Sequence, residues 1–348
     1  MDLTRLNSIR DELIKGRDNY TPRGQYCGFD GLFELFSLKR GYPLFIGGDA
    51  HSGKTEFALE LLVSASELYG WKHFCYFGET GSDRDIFAEL CTKYIGKPFY
   101  KKSRDDKFAM TDQECEIAMT WVNEHFYLMP STSTFTIEKF YENVDNVENQ
   151  LGISFQTTII DPIGDCVGWK YELEYLNQKY INVRRSSAKY NRMDIIVNHI
   201  GETQKIQEKG GTRRAKLPAI PDEWAGGKAN YRAGFQMLLY YRPVEWMADE
   251  NGIPPEKNEA WVFCQKSKPK GVGKVGMTKI YWDWQKSRFY EKTSLGGVKY
   301  SGKQTDKMYH NRETGENQPF KPLPTPIEKI ITPPDNWIES PKEDDVPF

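Results

Sequence analysis

The clearest hydrophobic patterning begins at Pro43. A short apolar run to Gly48 leads into a glycine loop, an amphipathic stretch from Lys54 to Tyr69, and a second apolar run from His73 to Gly78. Short apolar runs bounded by turn residues fit buried strands, and the longer stretch with helical spacing fits a helix between them. The pattern predicts a βαβ opening. Further strand-like runs occur at Phe126 to Met129, Thr157 to Asp161, Met193 to Asn198, Phe235 to Tyr241 and Trp261 to Gln265, with helical segments near 82–95, 111–124, 136–150 and 171–190. Such alternation predicts an α/β fold, a mainly parallel sheet with helices on both faces. The runs at 277–283 and 288–291 are too close together for a crossover helix, so they predict a hairpin at one edge of the sheet.

The two ends differ from this middle. Leu3, Leu6, Ile9 and Leu13 recur at helical spacing before Gly16, predicting one short helix. After Lys292 the chain becomes rich in Pro, Gly, Asn, Lys and Glu, which predicts a disordered tail. Three parts are therefore expected: a helical linker over 1–27, an α/β domain over 28–294, and an acidic tail over 295–348.

In composition the chain is 39% hydrophobic and 28% charged, as in ordinary globular domains. No run of about 18 apolar residues appears, and residues 1–7 lack the apolar stretch of a signal peptide, so a cytoplasmic protein without membrane contact is expected. The six cysteines are scattered without a CxxC pair, which indicates neither zinc nor disulfides.

Candidate chemistry starts at Gly48-Asp49-Ala50-His51-Ser52-Gly53-Lys54-Thr55, which matches GxxxxGK[ST] between a strand and a helix. Glycines there let successive backbone N–H groups turn toward phosphates, and the following helix N-terminus adds positive potential. In that setting Lys54 is expected at the β- and γ-phosphates of ATP, with the Thr55 hydroxyl on Mg²⁺. Asp161 ends an apolar strand, as expected of the acid that holds the magnesium shell. Glu79 follows the strand His73 to Gly78 and is a candidate general base for the attacking water. Together they predict a RecA-like P-loop ATPase.

With these residues in place, the stretch from about 28 to 291 resembles the DnaB-like replicative helicases, the hexameric branch of the RecA-like ATPases. Gly28-Phe-Asp-Gly-Leu resembles that family's lead-in, and Phe77-Gly-Glu79-Thr-Gly-Ser-Asp-Arg-Asp-Ile is similar to its segment with the catalytic glutamate. The resemblance implies that His199, after the strand Met193 to Asn198, is a γ-phosphate sensor. It also implies that Lys266-Ser-Lys268-Pro-Lys270-Gly-Val-Gly273 reaches a neighbouring subunit's ATP site, with Lys268 where the family has an arginine finger. Lysine offers a compact charge in place of a planar fork. The helix at 3–15 resembles the linker helix that docks on an adjacent subunit, so a homo-oligomer, with a hexameric ring favoured, is implied, in a bacterium or phage-infected cell.

The segment after His199 is long, polar and basic: Lys205, Lys209, Arg213, Arg214 and Lys216 surround a Gly-Gly pair. In RecA-like ATPases the corresponding loop faces single-stranded DNA, whose phosphates these cations could track. Trp169, after Asp161, could stack on a base or pack internally. The leading expectation is an ATP-driven single-stranded-DNA translocase or helicase. Two alternatives stay open, a recombination or strand-annealing ATPase and a regulatory or loader ATPase acting on a protein. The tip Asp344-Asp345-Val346-Pro347-Phe348 resembles the acidic end of bacterial single-stranded-DNA-binding proteins, which implies docking of a replication or repair protein; a solubilising role or an autoinhibitory contact with the basic loop are the alternatives.

Overall fold

In the computed structural model, residues 6–18, 23–103, 106–201, 203–211, 214–248, 252–293, 296–302, 308–310 and 317–319 are described. The chain begins with helices α1 (Leu6–Asp18) and α2 (Asp30–Leu35), then strand β1 (Leu44–Gly48), helix α3 (Lys54–Tyr69) and strand β2 (His73–Phe77). Helices α4 (Asp83–Ile95) and α5 (Asp112–His125) precede β3 (Phe126–Leu128), and α6 (Ile137–Leu151) precedes β4 (Thr157–Asp161). Then come α7 (Leu173–Tyr190), β5 (Met193–His199), a small hairpin of β6 (Lys205–Gln207) and β7 (Arg214–Lys216), and α8 (Lys228–Ala233). Strands β8 (Gln236–Tyr241), β9 (Glu259–Ser267), β10 (Gly276–Asp283), β11 (Arg288–Lys292) and β12 (Val298–Tyr300) complete the body.

One sheet holds ten of these strands, in the order β12-β11-β10-β9-β8-β1-β5-β4-β2-β3. From β8 to β3 neighbours run parallel, and from β8 to β12 they alternate. Side chains along a strand alternate between faces, and this alternation divides the core. Leu44, Ile46, Cys75, Phe77, Ile159, Ile195 and Val197 face the layer containing α3, α4 and α5. Phe45, Phe74, Tyr76, Ile160 and Ile196 face the layer containing α6, α7 and α8. Apolar residues on both faces of each strand are why the sequence reads there as continuous apolar runs.

Helix ends are set locally. Thr111 accepts from the Glu114 amide while the Glu114 side chain reaches back to Thr111, a reciprocal cap that starts α5. Gly70, Gly96 and Gly152 take the left-handed conformation that closes α3, α4 and α6. The hairpin expected from 277–291 forms as β10 and β11, but β12 lies outside it and becomes the edge. Beyond β11, β12 joins the same sheet, and Ser301 after it donates to buried Glu60. Residues Met308–His310 and Asn317–Pro319 pair as a separate short ladder. The segment Asp344 to Phe348 lies outside the described residues.

His73 is fully buried in β2, with Nε2 2.8 Å from the Ser66 hydroxyl and Nδ1 against Thr157. Burial pushes the ring down to about 3, so the native protein holds it neutral. Below about pH 6.5 the unfolded chain takes up a proton that the native state refuses. Stability is therefore present above pH 6.5 and is lost as pH falls toward 3, by at most about 1.4 kcal/mol per pH unit from this residue. The His73→Gln variant is expected to show a shallower fall in urea-unfolding free energy between pH 6.5 and 5. An identical slope in both proteins would contradict this.

Candidate functional site

Parallel pairing aligns the carboxyl ends of four strands along one edge of the sheet. Gly48 at the end of β1 pairs with His199 at the end of β5, and Phe77 of β2 pairs with Asp161 of β4. Ligand sites of open α/β sheets lie at this edge. The loop that follows β1 turns through two left-handed residues, His51 (φ 57°) and Gly53 (φ 97°), before α3 begins at Lys54. Gly53 carries this conformation without steric cost, whereas His51 carries a Cβ there.

Lys54, Thr55, Glu79, Asp161 and His199 converge here. Lys54 Nζ lies 3.4 Å from His199 Nδ1, and the other ring nitrogen of His199, Nε2, lies 3.0 Å from Glu79 Oε1. The histidine is thus a bridge between the phosphate-loop lysine and the carboxylate at the end of β2. The Thr55 hydroxyl donates to Asp161 Oδ2 at 2.6 Å. Burial pushes the Asp161 carboxyl up to about 6, against the lowering effects of Thr55 and Lys54. A desolvated carboxylate beside a hydroxyl is a setting that a cation relieves. Among the described residues no cluster of three or more His, Cys, Asp or Glu could hold a metal unaided. Mg²⁺ normally takes one or two protein ligands and completes its shell with phosphate and water, so the pair Thr55 and Asp161 fits it. The buried Ser52 hydroxyl of the same loop has no hydrogen-bond partner among the described residues.

The polar segment after His199 is not a structureless loop. It forms the β6/β7 hairpin, because Lys205 to Gln207 can pair with Arg214 to Lys216 across the Gly-Gly turn. Gly201 donates to Glu223 at 2.8 Å and Ala225 donates to the His199 carbonyl at 3.0 Å, so both legs are anchored at the end of β5. Lys205 and Lys209 are exposed. Lys216 instead pairs with Asp49 of the phosphate loop at 2.6 Å. Arg213 lies outside the described residues, and Arg214 is described only as backbone in β7.

Lys266, Lys268 and Trp169 lie away from this strand-end cluster of side chains, each with partners of its own or open to solvent. Lys266 is buried, not projecting, and donates to the Tyr231 carbonyl of its own chain. Burial, with Lys268 and Arg184 adding repulsion, pushes it down to about 8. Lys268 is exposed. Trp169 is partly buried and packs against Tyr175 and Tyr180, with centroids 5.6 and 5.8 Å away.

Sequence reasoning missed Trp224. This buried ring lies against Gly47, where a Cβ would meet its atoms at 2.7 Å. The second glycine of Gly47-Gly48 is part of the motif; only the first, unexplained by it, could have signalled a close neighbour.

No protein-family model matches the chain. A DnaB-like replicative helicase, in a structure describing its interactions with primase, superposes with a TM-score of 0.61 at 15% identity, covering 83% of this chain and 67% of that one. A second solved structure, that of an ATPase domain, superposes with a TM-score of 0.65 at 14% identity, covering 83% and 99%. The fold is that of a DnaB-like helicase ATPase domain. In sequence, the chain is 25% identical over 175 residues to the Twinkle homolog protein, chloroplastic/mitochondrial, of Arabidopsis thaliana, a match covering 48% of this chain. It spans about a quarter of that relative's length, 24%. No helix among the described residues is long and apolar enough to cross a membrane.

Gly47→Ala is expected to destabilise the protein by about 1–3 kcal/mol, since the Trp224 ring cannot retreat from a packed core. The urea midpoint measures it. A midpoint equal to that of the parent would contradict the contact.

Proposed function

We propose that the chain is a DNA-stimulated ATPase that moves along or unwinds DNA as an oligomer. The observation that carries this reading is the bridge Lys54–His199–Glu79, from whose histidine the basic β6/β7 hairpin hangs. Backbone N–H groups from Gly48 to Gly53 cradle the phosphates of ATP. Lys54 neutralises the β- and γ-phosphate oxygens, and Thr55 with Asp161 holds Mg²⁺. The bound ion supplies further charge neutralisation as the terminal phosphoryl group leaves. Glu79, oriented by His199, accepts the proton of the attacking water. As charge on the γ-phosphate is lost, His199 exchanges its contacts with Lys54 and Glu79. Its carbonyl moves Ala225, beyond the hairpin's second strand, and Lys216, tied to Asp49, follows the phosphate loop.

DNA phosphates are the proposed partners of Lys205, Lys209, Arg213 and Arg214, and Lys216 joins them when its pair with Asp49 opens. Assembly is supported by two features. Helix α1 leaves Leu6, Leu13 and Ile14 exposed, and a groove of about 670 Å³ at the α4–α5 side presents the exposed rings of Tyr100, Phe108 and Trp284. An apolar helix stripe of a neighbouring copy fits such a groove. Lys268 lies beyond Ser267, whose pairing with Gln236 sets it at the level of Leu44, roughly 15 Å along the strands from Gly48. That is farther than its side chain extends, so Lys268 does not reach the nucleotide of its own chain, and a role at the nucleotide of another copy is the one proposed for it. Lys266 would have to leave Tyr231 to join it.

The test is ATP turnover with and without single-stranded DNA. Wild-type turnover is expected to rise severalfold on adding DNA. Lys54→Ala is expected to abolish turnover. Glu79→Gln is expected to keep ATP binding but lose about 100-fold or more in kcat, the usual scale for removing a general base. Turnover indifferent to DNA but raised by a protein partner would overturn the DNA reading in favour of a loader; wild-type turnover in Glu79→Gln would overturn the assignment of the base.

A further inference from the structure

Behind the phosphate loop, six ionisable side chains are packed where α3, α4 and β11 meet. Lys93 of α4 is the centre: its side chain is 0% exposed, and Nζ lies 2.8 Å from Glu56, 3.5 Å from Glu60 and 3.5 Å from Glu89. It also donates to the Ser287 carbonyl at 2.9 Å and sits 4.6 Å from the Trp282 ring centroid. Arg288 of β11 closes the other side. Its Nε donates to Glu60 at 2.6 Å, its fork reaches Glu67 at 3.2 Å, and a third N–H caps the Lys93 carbonyl at 2.7 Å. Four carboxylates therefore share two buried cations, Glu60 and Glu67 buried and Glu56 and Glu89 reaching solvent.

Apolar side chains would hold these elements together at a lower desolvation cost. What ion pairs add is a fixed register, because each charge must meet its partner within a fraction of an ångström. The register matters because of where it is imposed. Glu56 directly follows Thr55 in the first turn of α3. Ser287 and Arg288 stand at the same sheet edge as the phosphate loop, since Arg288 pairs with Asp283, at the end of β10 opposite Gly276. Burial and the charge of Glu56 push Glu89 up to about 7, a sign that negative charge is in excess here. The carboxylates in turn hold Lys93 above the ordinary lysine value in spite of its burial.

We infer that Lys93 is a positioning residue for the ATP site, clamping the first turn of α3, and with it Lys54 and Thr55, against α4 and the β10–β11 turn. This rests on the nucleotide reading of the site. Lys93 touches no reacting atom. Its effect is on where Thr55 and Lys54 stand when the phosphoryl group leaves, and a displacement of about an ångström there is enough for a large loss of rate.

The experiment compares steady-state ATP turnover and melting temperature in full-length Lys93→Met, Lys93→Arg and Glu56→Gln proteins, with Lys54→Ala as the control. Lys93→Met is expected to lose about tenfold or more in kcat, measured well below its melting temperature. Lys93→Arg is expected to recover part of the loss. Glu56 is 31% exposed, so Glu56→Gln removes the nearest partner without stranding a buried charge. It is expected to melt near the parent temperature and still turn over about threefold or more slowly, which keeps the test valid if Lys93→Met does not fold. A lowered melting temperature in Lys93→Met with unchanged kcat and KM, or parental kcat in Glu56→Gln, would overturn the clamp. Unchanged turnover in Lys54→Ala would instead overturn the nucleotide reading on which it rests.

Discussion

Parallel registration of β1, β5, β4 and β2 is the constraint on which the rest depends. It brings the ends of four strands, far apart in sequence, to one edge, where Gly48 faces His199 and Phe77 faces Asp161. Backbone pairing alone therefore fixes the spacing of the phosphate loop, the carboxylate of Asp161 and the start of the segment carrying Glu79. Gly78 reinforces this by donating to the Asp161 carbonyl at 2.9 Å. Side-chain contacts then refine what the sheet imposes: the Thr55 hydroxyl on Asp161, and the His199 ring between Lys54 and Glu79.

The two faces of the sheet are used differently. On the α3 side, the layer is stiffened by charge, with Lys93 and Arg288 tying helices to the β10–β11 hairpin. On the α7 side it is stiffened by a buried polar cluster, in which Tyr180 and Asn198 both donate to Asn230, at 2.7 and 3.0 Å, beneath the end of β5. Hydrogen bonds between buried side chains favour one arrangement of the core over its near alternatives, and here Asn198 Oδ1 alone of these amide oxygens has no partner among the described residues. The hairpin of β6 and β7 packs on a smaller cluster, with Ile206, Ala215 and Leu217 against Tyr241, Met247 and Trp261 and the Tyr241 hydroxyl donating to the Lys216 carbonyl at 2.7 Å, and its flanks are held by the backbone bonds at Gly201 and Ala225.

Most of the fold was legible because its signals are local. Buried strands read as short apolar runs, and the phosphate loop reads as a spacing of Gly48, Gly53, Lys54 and Thr55 between a strand and a helix. Asp161 and Glu79 stood out for the same reason, each just where an apolar run ends, whereas His199 was singled out by the resemblance to the DnaB-like helicases. What sequence spacing cannot show is burial set by distant partners. Lys93 looks like a solvated residue on an amphipathic helix, and only the approach of β11 encloses it. Lys266 looks like a projecting cation, yet its place in β9 turns it onto the Tyr231 carbonyl. The basic segment looked like an open loop because three-residue strands are too short to leave a periodic pattern. Trp224 shows itself only through the glycine it covers.

The central claim is that the state of the phosphate site reaches the basic hairpin through His199. Hydrogen exchange of the backbone amides between residues 203 and 217 measures this directly, in the presence of Mg²⁺ with either a non-hydrolysable ATP analogue or ADP. The account predicts different protection in the two nucleotide states for the parent protein, and equal protection in His199→Ala despite nucleotide binding. Equal protection in the parent, or a difference that survives in His199→Ala, would contradict it.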